Sequence, residues 1–339
     1  MERQNILEES LAQYRIQYSL ADNYEQKVRC LNEVASICLK QNKLTLALMC
    51  LVRSLEIKPT QLAILEKAEK LASLYCVDVP QNLAEDKCTV SVIIPTIGRI
   101  HELRESIGSI INQTFQDFEI IVINDGGSEQ VENVVESFGS DKIRYYRFKE
   151  RKGLPKARNA GISKARGKYI AYLDDDDIYK QYHLETLVSY LEKNSDIDIA
   201  FTNAWYCYGQ IVEDKFQVSR KISFKGASGK FDRNLLLNHN CLGPTLCIMH
   251  KKIHFVTSGM FNEELTLLED WDLWLRMAYK CKFHKINKLT GEYRWHLDKM
   301  SNMSIIRKRE WDFFKDIIRT FYQSFKGKLV FLESLTQQN

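Results

Sequence analysis

Apolar residues recur at helical spacing through the first quarter of the chain. Val28, Leu31, Val34, Ile37 and Cys38 fall on one face of a helix. A second periodic run, "KLTLALMCLVRSLEI", follows Asn42. It is predicted to stop before Pro59, whose ring and missing N–H cannot continue a helix. A third run covers "LAILEKAEKLASLY". Residues 1–86 are therefore expected to be all-helical.

At Lys87 the pattern changes. The runs "CTVSVIIP", "FEIIVIND", "KIRYYRF" and "GKYIAYLD" alternate with the helical "RIHELRESIGSIINQ", "SEQVENVVESFG" and "LPKARNAGISKA". Unbroken Val/Ile-rich strands separated by helices predict an α/β fold, a parallel sheet covered on both faces through right-handed crossovers. In such sheets ligands sit beyond the carboxyl ends of the strands. Thr96 follows the first strand, Asp125 the second, and Asp174 to Asp177 the fourth. Residues 197–325 are less regular. "DIDIAFTNAWYCYG" and "TLCIMHKK" read as strands, and "LLEDWDLWLRMAYK" as an amphipathic helix. "SIIRKREWDFFKDIIRTFYQSF" predicts a C-terminal helix packed by its Trp311, Phe314, Ile318 and Phe321 side, with membrane-surface docking as the alternative.

Composition narrows the partners. The 339 residues carry 48 basic and 44 acidic side chains, a net charge of +4. So even a balance gives no electrostatic case for nucleic acid. The nine cysteines are odd in number and form no Cys-x-x-Cys pair, which fits free thiols in a reducing compartment. The charged N-terminus reads as no secretory signal, and no apolar run approaches the roughly 18 residues that cross a bilayer. A cytoplasmic protein is expected, with peripheral contact at the inner face of a membrane left open.

Four consecutive aspartates, Asp174, Asp175, Asp176 and Asp177, raise the question of a positive partner. Clustered oxygen ligands select a hard cation such as Mg²⁺ or Mn²⁺, which keeps room for substrate phosphates. The same run also suits a solvated acidic turn ahead of a helix near Lys180.

Four motifs in order resemble family 2 glycosyltransferases, which have the GT-A fold. They are "VSVIIPTIGRIHELRESIGSIINQTFQDFEIIVINDGGSE", "GLPKARNAGISKARGKYIAYLDDDD", "LLEDWDLWLRMA" and "YRWHLDKMS". The resemblance covers roughly residues 89–305. It implies a nucleotide-diphospho-sugar transferase domain at 87–305, with a mostly parallel central sheet flanked by helices. A helical region at 1–86 precedes it, and an amphipathic helix and tail at 306–339 follow. Within the first region, Ala47, Leu51, Ser54 and Pro59 resemble the second half of a tetratricopeptide repeat. A plain bundle or dimerisation arm fits as well, so a protein partner or self-association through these helices is open.

The resemblance also implies roles. Thr96 and Asp125 would line the nucleotide pocket. The family's commoner Asp-Asp is Asn124-Asp125 here and its Tyr-Asn is Ile97-Gly98, departures that bear on nucleobase choice. Asp174 would lie near the ribose or sugar and Asp176 at the metal. Asp175 takes the variable place beside the donor, although the run permits a one-residue shift of register. Arg158 would reach the nucleotide or brace the acidic loop. Asp270 matches the catalytic base, a carboxylate that takes the proton of the attacking hydroxyl. Glu269 is its rival, and Asp272 supports the helix. His296 would complete the shell of Mn²⁺ or Mg²⁺ or donate to a phosphate. The implied reaction moves a sugar, with inversion, from a nucleotide-diphosphate donor (a UDP-sugar first) to a glycan, lipid-linked or protein acceptor. Acceptor recognition is expected in the segment from Cys207 to Pro244. Two other readings are a silent nucleotide-sugar-binding adaptor and a nucleotidyltransferase. The second expects a glycine-rich basic loop that "PTIGRIHE" lacks.

Overall fold

A computed structural model describes residues 2–74, 86–224, 231–297 and 308–324. Positions 298–301 of the last motif, positions 225–230 of the expected acceptor segment, the junction at 305/306 and the tail beyond 324 lie outside them.

Four helices open the chain: α1 (Glu2–Leu20), α2 (Tyr24–Lys40), α3 (Leu44–Ile57) and α4 (Leu62–Leu74). Asn23 caps α2 by accepting the N–H of Gln26 at 2.9 Å. The stripe Val28, Leu31, Val34, Ile37 and Cys38 is buried, as its spacing predicts. Helix α3 ends two residues before Pro59. Ser54 on its buried side donates to Asn32 of α2 at 2.8 Å. The C-terminal helix, labelled here with the other helices in chain order as α12 (Lys308–Ser324), belongs to the same compact unit. Arg53 donates to its Asp316 at 2.8 Å, Tyr18 donates to the same carboxylate, and the Arg15 guanidinium lies 4.8 Å from the Phe314 ring centre. Phe313, Phe314, Ile317, Ile318 and Phe321 are buried. Trp311, expected on the packed side, is 37% exposed. The buried stripe is centred between Phe314 and Phe321, and Trp311 falls at its margin.

The second compact unit is built on one nine-stranded sheet. Its strands are β1 (Cys88–Thr96), β2 (Phe118–Asn124), β3 (Ile143–Arg147), β4 (Gly167–Tyr172), β5 (Ile178–Tyr179), β6 (Ile199–Val212), β7 (Lys215–Phe224), β8 (Ile248–Lys251) and β9 (Phe283–His296). The order is β3-β2-β1-β4-β8-β6-β9-β5, and β7 pairs with β6. Strands β1 to β4 pair in parallel. Strand β8 is antiparallel to both β4 and β6, so β6 and its parallel partner β9 run the same way as β1. Every residue of β2 is buried, which explains its unbroken apolar run. Between and after the strands come α5 (Ile100–Ile111), α6 (Gln130–Glu136), α7 (Leu154–Lys164), α8 (His183–Lys193), α9 (Arg233–Asn238), α10 (Phe255–Ser258) and α11 (Glu269–Met277). The segment "TLCIMHKK" starts as a short 3-10 turn, Thr245–Cys247, before β8. Among the described residues, no helix is long and apolar enough to cross a membrane.

Candidate active site

Beyond the carboxyl ends of β1, β2 and β4 the polar residues converge. Thr96 ends β1, and its hydroxyl donates to Asp175 at 2.6 Å while accepting the N–H of Gly98 at 3.1 Å. Asp125 follows β2. Its two oxygens accept the N–H groups of Lys152 (2.6 Å) and Gly153 (2.9 Å), fixing the turn that leads into α7. The glycines after it are required by space. Gly126 has φ +71°, and a Cβ on Gly127 would stand 2.2 Å from the carbonyl oxygen of Ile97.

The four aspartates after Leu173 point in different directions. Asp174 accepts from Arg158 at 2.8 Å. Asp175 is buried, with Arg99 Nε 3.3 Å away, and burial raises its pKa against the pull of Arg99. Asp176 pairs with Arg99 and lies 3.7 Å from His296 Nε2. Asp177 turns inward and accepts the N–H of Arg294 at 2.8 Å. Burial first, and then the charge of Asp174, push its pKa well up. Ser106 of α5 donates to the carbonyls of Asp175 (3.0 Å) and Asp177 (2.7 Å), holding the turn against the helix.

Arg158 and Arg99 supply the positive partners. Arg158 is 2% exposed. It reaches forward to Asp174 and across to Glu269 at 2.7 Å, with Phe261 against its guanidinium at 5.3 Å. Burial alone would lower its pKa; Asp174 and Glu269 more than offset that. The sequence missed Arg99, although it stands three positions after Thr96 in the same loop.

Glu269 and Asp270 start α11, where the helix dipole favours acids. The residue before them, Leu268, is held left-handed (φ 59°, ψ 23°), a costly conformation for a bulky side chain. Asp270 is half-buried and accepts from Asn240 at 3.0 Å. Burial, then the charge of Glu269, push its pKa up to about 7, with Arg158 opposing. One arginine thus faces three carboxylates, and the uncompensated one holds its proton longest. Asp272 pairs with Arg276 at 2.8 Å along α11. Trp271 and Trp274 are core residues. Asn240 carries no motif, and nothing in the sequence marks it as the partner of Asp270.

Two places bring metal-capable groups together. Asp176 and His296 form an oxygen and imidazole pair whose 3.7 Å spacing lets one cation reach both. The set suits Mn²⁺ or Mg²⁺. Among the described residues, Asp198, His254 and Cys281 also have their ligand atoms within 4.8 Å of one another. That cluster precedes β6, at the opposite end of the sheet, and Lys251 already pairs with Asp198 at 3.0 Å. It is a structural junction, remote from the acidic loop.

A family model described as "Glycosyl transferase family 2" matches residues 91–254. An uncharacterized glycosyltransferase of Rickettsia prowazekii is 30% identical over 74% of this chain and 76% of its own length. Longer relatives exist: the chain spans 30% of one from Rickettsia bellii. WfgD of Escherichia coli is 27% identical over 69% of this chain and 88% of its own. It is a UDP-Glc:alpha-D-GlcNAc-diphosphoundecaprenol beta-1,3-glucosyltransferase. Residues 1–349 of S. aureus TarS, solved with UDP-GlcNAc, superpose with a TM-score of 0.52 at 17% identity. The match covers 71% of this chain and 74% of that one, a likeness of fold.

Proposed function

The chain belongs to glycosyltransferase family 2, and from that premise we propose that it transfers a sugar, with inversion, from a UDP-sugar to an acceptor hydroxyl. We assign the catalytic domain to residues 87–305. One observation carries the reading: Arg158 bridges the acidic loop, through Asp174, to the start of α11 that bears Asp270. Donor-side and acceptor-side carboxylates are thereby held at a fixed separation.

Asp270 takes the proton of the acceptor hydroxyl. The acceptor oxygen attacks the anomeric carbon, and the bond from that carbon to the diphosphate oxygen breaks with its electron pair. A base with pKa about 7 is half-ionised near neutral pH, which suits this transfer. Thr96, Asp125 and Asp175 are assigned to the donor pocket, and Asp176 with His296 to the cation. When bound, Mn²⁺ or Mg²⁺ supplies charge stabilisation to the departing nucleoside diphosphate. Arg99 holds Asp176 in place and must share it with the ion. The likeness to WfgD favours a lipid-linked saccharide acceptor, and with it a place at a membrane surface. The adaptor reading leaves the raised pKa of the half-buried Asp270 without a purpose.

A panel of UDP-, GDP- and CDP-sugars, assayed for metal-dependent hydrolysis, tests the proposal. Turnover of a UDP-sugar is expected with Mn²⁺. Chelation should abolish it, added Mn²⁺ restore it, and Asp176→Ala remove that restoration. Failure of every nucleotide sugar to register heat by calorimetry would refute the donor assignment.

A further inference from the structure

We propose that the aromatic strip Tyr206, Tyr208, Tyr293 and Trp295 is the acceptor subsite, stacking a pyranose ring of an acceptor saccharide beside Asp270. This rests on the family 2 reading above and adds the chemistry that holds the second substrate.

The strip follows from strand register. Strands β6 and β9 pair in parallel with Tyr206 opposite Tyr293 and Tyr208 opposite Trp295. Alternation places all four rings on one face. Their centroids are 5.1 Å apart for Tyr206 and Tyr293, 6.0 Å for Tyr293 and Trp295, and 6.2 Å for Tyr208 and Trp295. The other face of β9 carries ion pairs and the His296 assigned to the cation. There Glu292 meets Lys180 and Lys221, Arg294 meets Glu105, and His296 lies by Asp176.

The foot of the aromatic face is closed by the segment from Asn240 to Leu246. A Cβ on Gly291 would be 2.2 Å from Leu246, and one on Gly243 would be 2.8 Å from Phe224, which stacks on Tyr206 at 5.0 Å. Asn240, at the start of that segment, donates to Asp270. The strip therefore begins where the segment holding Asp270 ends. Burial, with Asp270 among the charges adding to it, raises the pKa of the Tyr206 and Tyr293 phenols, in keeping with that proximity. All four residues are half-buried, neither sealed in the core nor fully in solvent.

A contiguous aromatic surface left partly open to solvent beside a catalytic carboxylate marks a binding site. Its chemistry fits a sugar: flat apolar faces meet the C–H face of a pyranose, and phenol and indole edges meet the hydroxyl rim. The nucleotide is assigned elsewhere, since Thr96 and Asp125 lie at the ends of β1 and β2, on the far side of β4 and β8. At the open end, the Arg220 guanidinium lies 5.7 Å from the Tyr208 ring centre, a cation positioned for an anionic acceptor.

The test uses the full chain with UDP and Mn²⁺. Methyl glycosides of glucose, galactose and N-acetylglucosamine, and their β-linked disaccharides, serve as probes. Saccharide affinity is read by saturation-transfer NMR, and UDP affinity by calorimetry in parallel. Trp295→Ala should weaken saccharide binding by roughly tenfold, the contribution of one stacked face. Trp295→Phe should keep it within about threefold, because a flat ring remains. If UDP binds and no saccharide responds to Trp295→Ala, or none binds at all, the strip is not the acceptor subsite while the donor reading stands. If UDP fails to bind but Trp295-dependent saccharide binding persists, the donor reading falls and the strip survives. Trp295-dependent binding to phosphatidylglycerol vesicles, with saccharide binding unmoved, would overturn the proposal in favour of a membrane surface.

Discussion

Replacing Asp270 by Asn should inactivate the enzyme and stabilise it, the second effect growing with pH. The side chain keeps its shape, and its oxygen still accepts from Asn240. Burial and Glu269 lift the Asp270 pKa from its ordinary 3.8 to about 7. At 1.36 kcal/mol per pH unit, that rise corresponds to roughly 4 kcal/mol, an upper figure because Glu269 shares the field. Its sign follows from proton binding. Between pH 4 and 7 the folded chain keeps a proton that the unfolded chain releases. The contribution of Asp270 to stability is therefore greatest below pH 4 and is lost as pH rises through 7. The Asn variant lacks this slope, and other titrating groups cancel in the difference. Urea unfolding at pH 4, 6 and 8 should show the variant gaining little at pH 4 and up to about 4 kcal/mol at pH 8. Transfer by the parent should climb with pH and level off above about 7. The variant should lose about 10²- to 10⁴-fold of it, with UDP affinity little changed. A stability difference flat across pH, or transfer at the parental rate, would refute the assignment of a perturbed base.

Arg158→Met removes the cation between Asp174 and Glu269 and should cost about 3–5 kcal/mol by urea unfolding; a loss below about 1 kcal/mol would mean that neither carboxylate depends on it. Gly127→Ala puts a Cβ 2.2 Å from the Ile97 carbonyl, where only backbone can yield. It should lower the melting temperature by several degrees, a cost of about 1–3 kcal/mol. Gly108→Ala in α5 meets nothing within 4 Å and should stabilise by about 0.5–1 kcal/mol in the same melts. Equal shifts for the two alanines would contradict the steric argument.

Local pattern carried much of the architecture. Strands β1 and β2 are legible because both faces are covered, so nearly every position is apolar. The α2 stripe is legible because a helix buries a single face. The order of Thr96, Asp125 and the four aspartates along the chain also places them at strand ends. Their individual partners were not legible. Neighbouring aspartates look alike in sequence, yet Asp175 meets a hydroxyl 79 positions away and Asp177 an N–H 117 positions away. Nor does any periodicity reveal that Asp316 receives Tyr18 and Arg53 from 298 and 263 positions away. The rise in the Asp270 pKa depends on burial, on Glu269 beside it and on Arg158 brought across from α7. Strand and helix follow from repeating positions along the chain; charge state and partner follow from distance and dielectric in space, which folding alone sets.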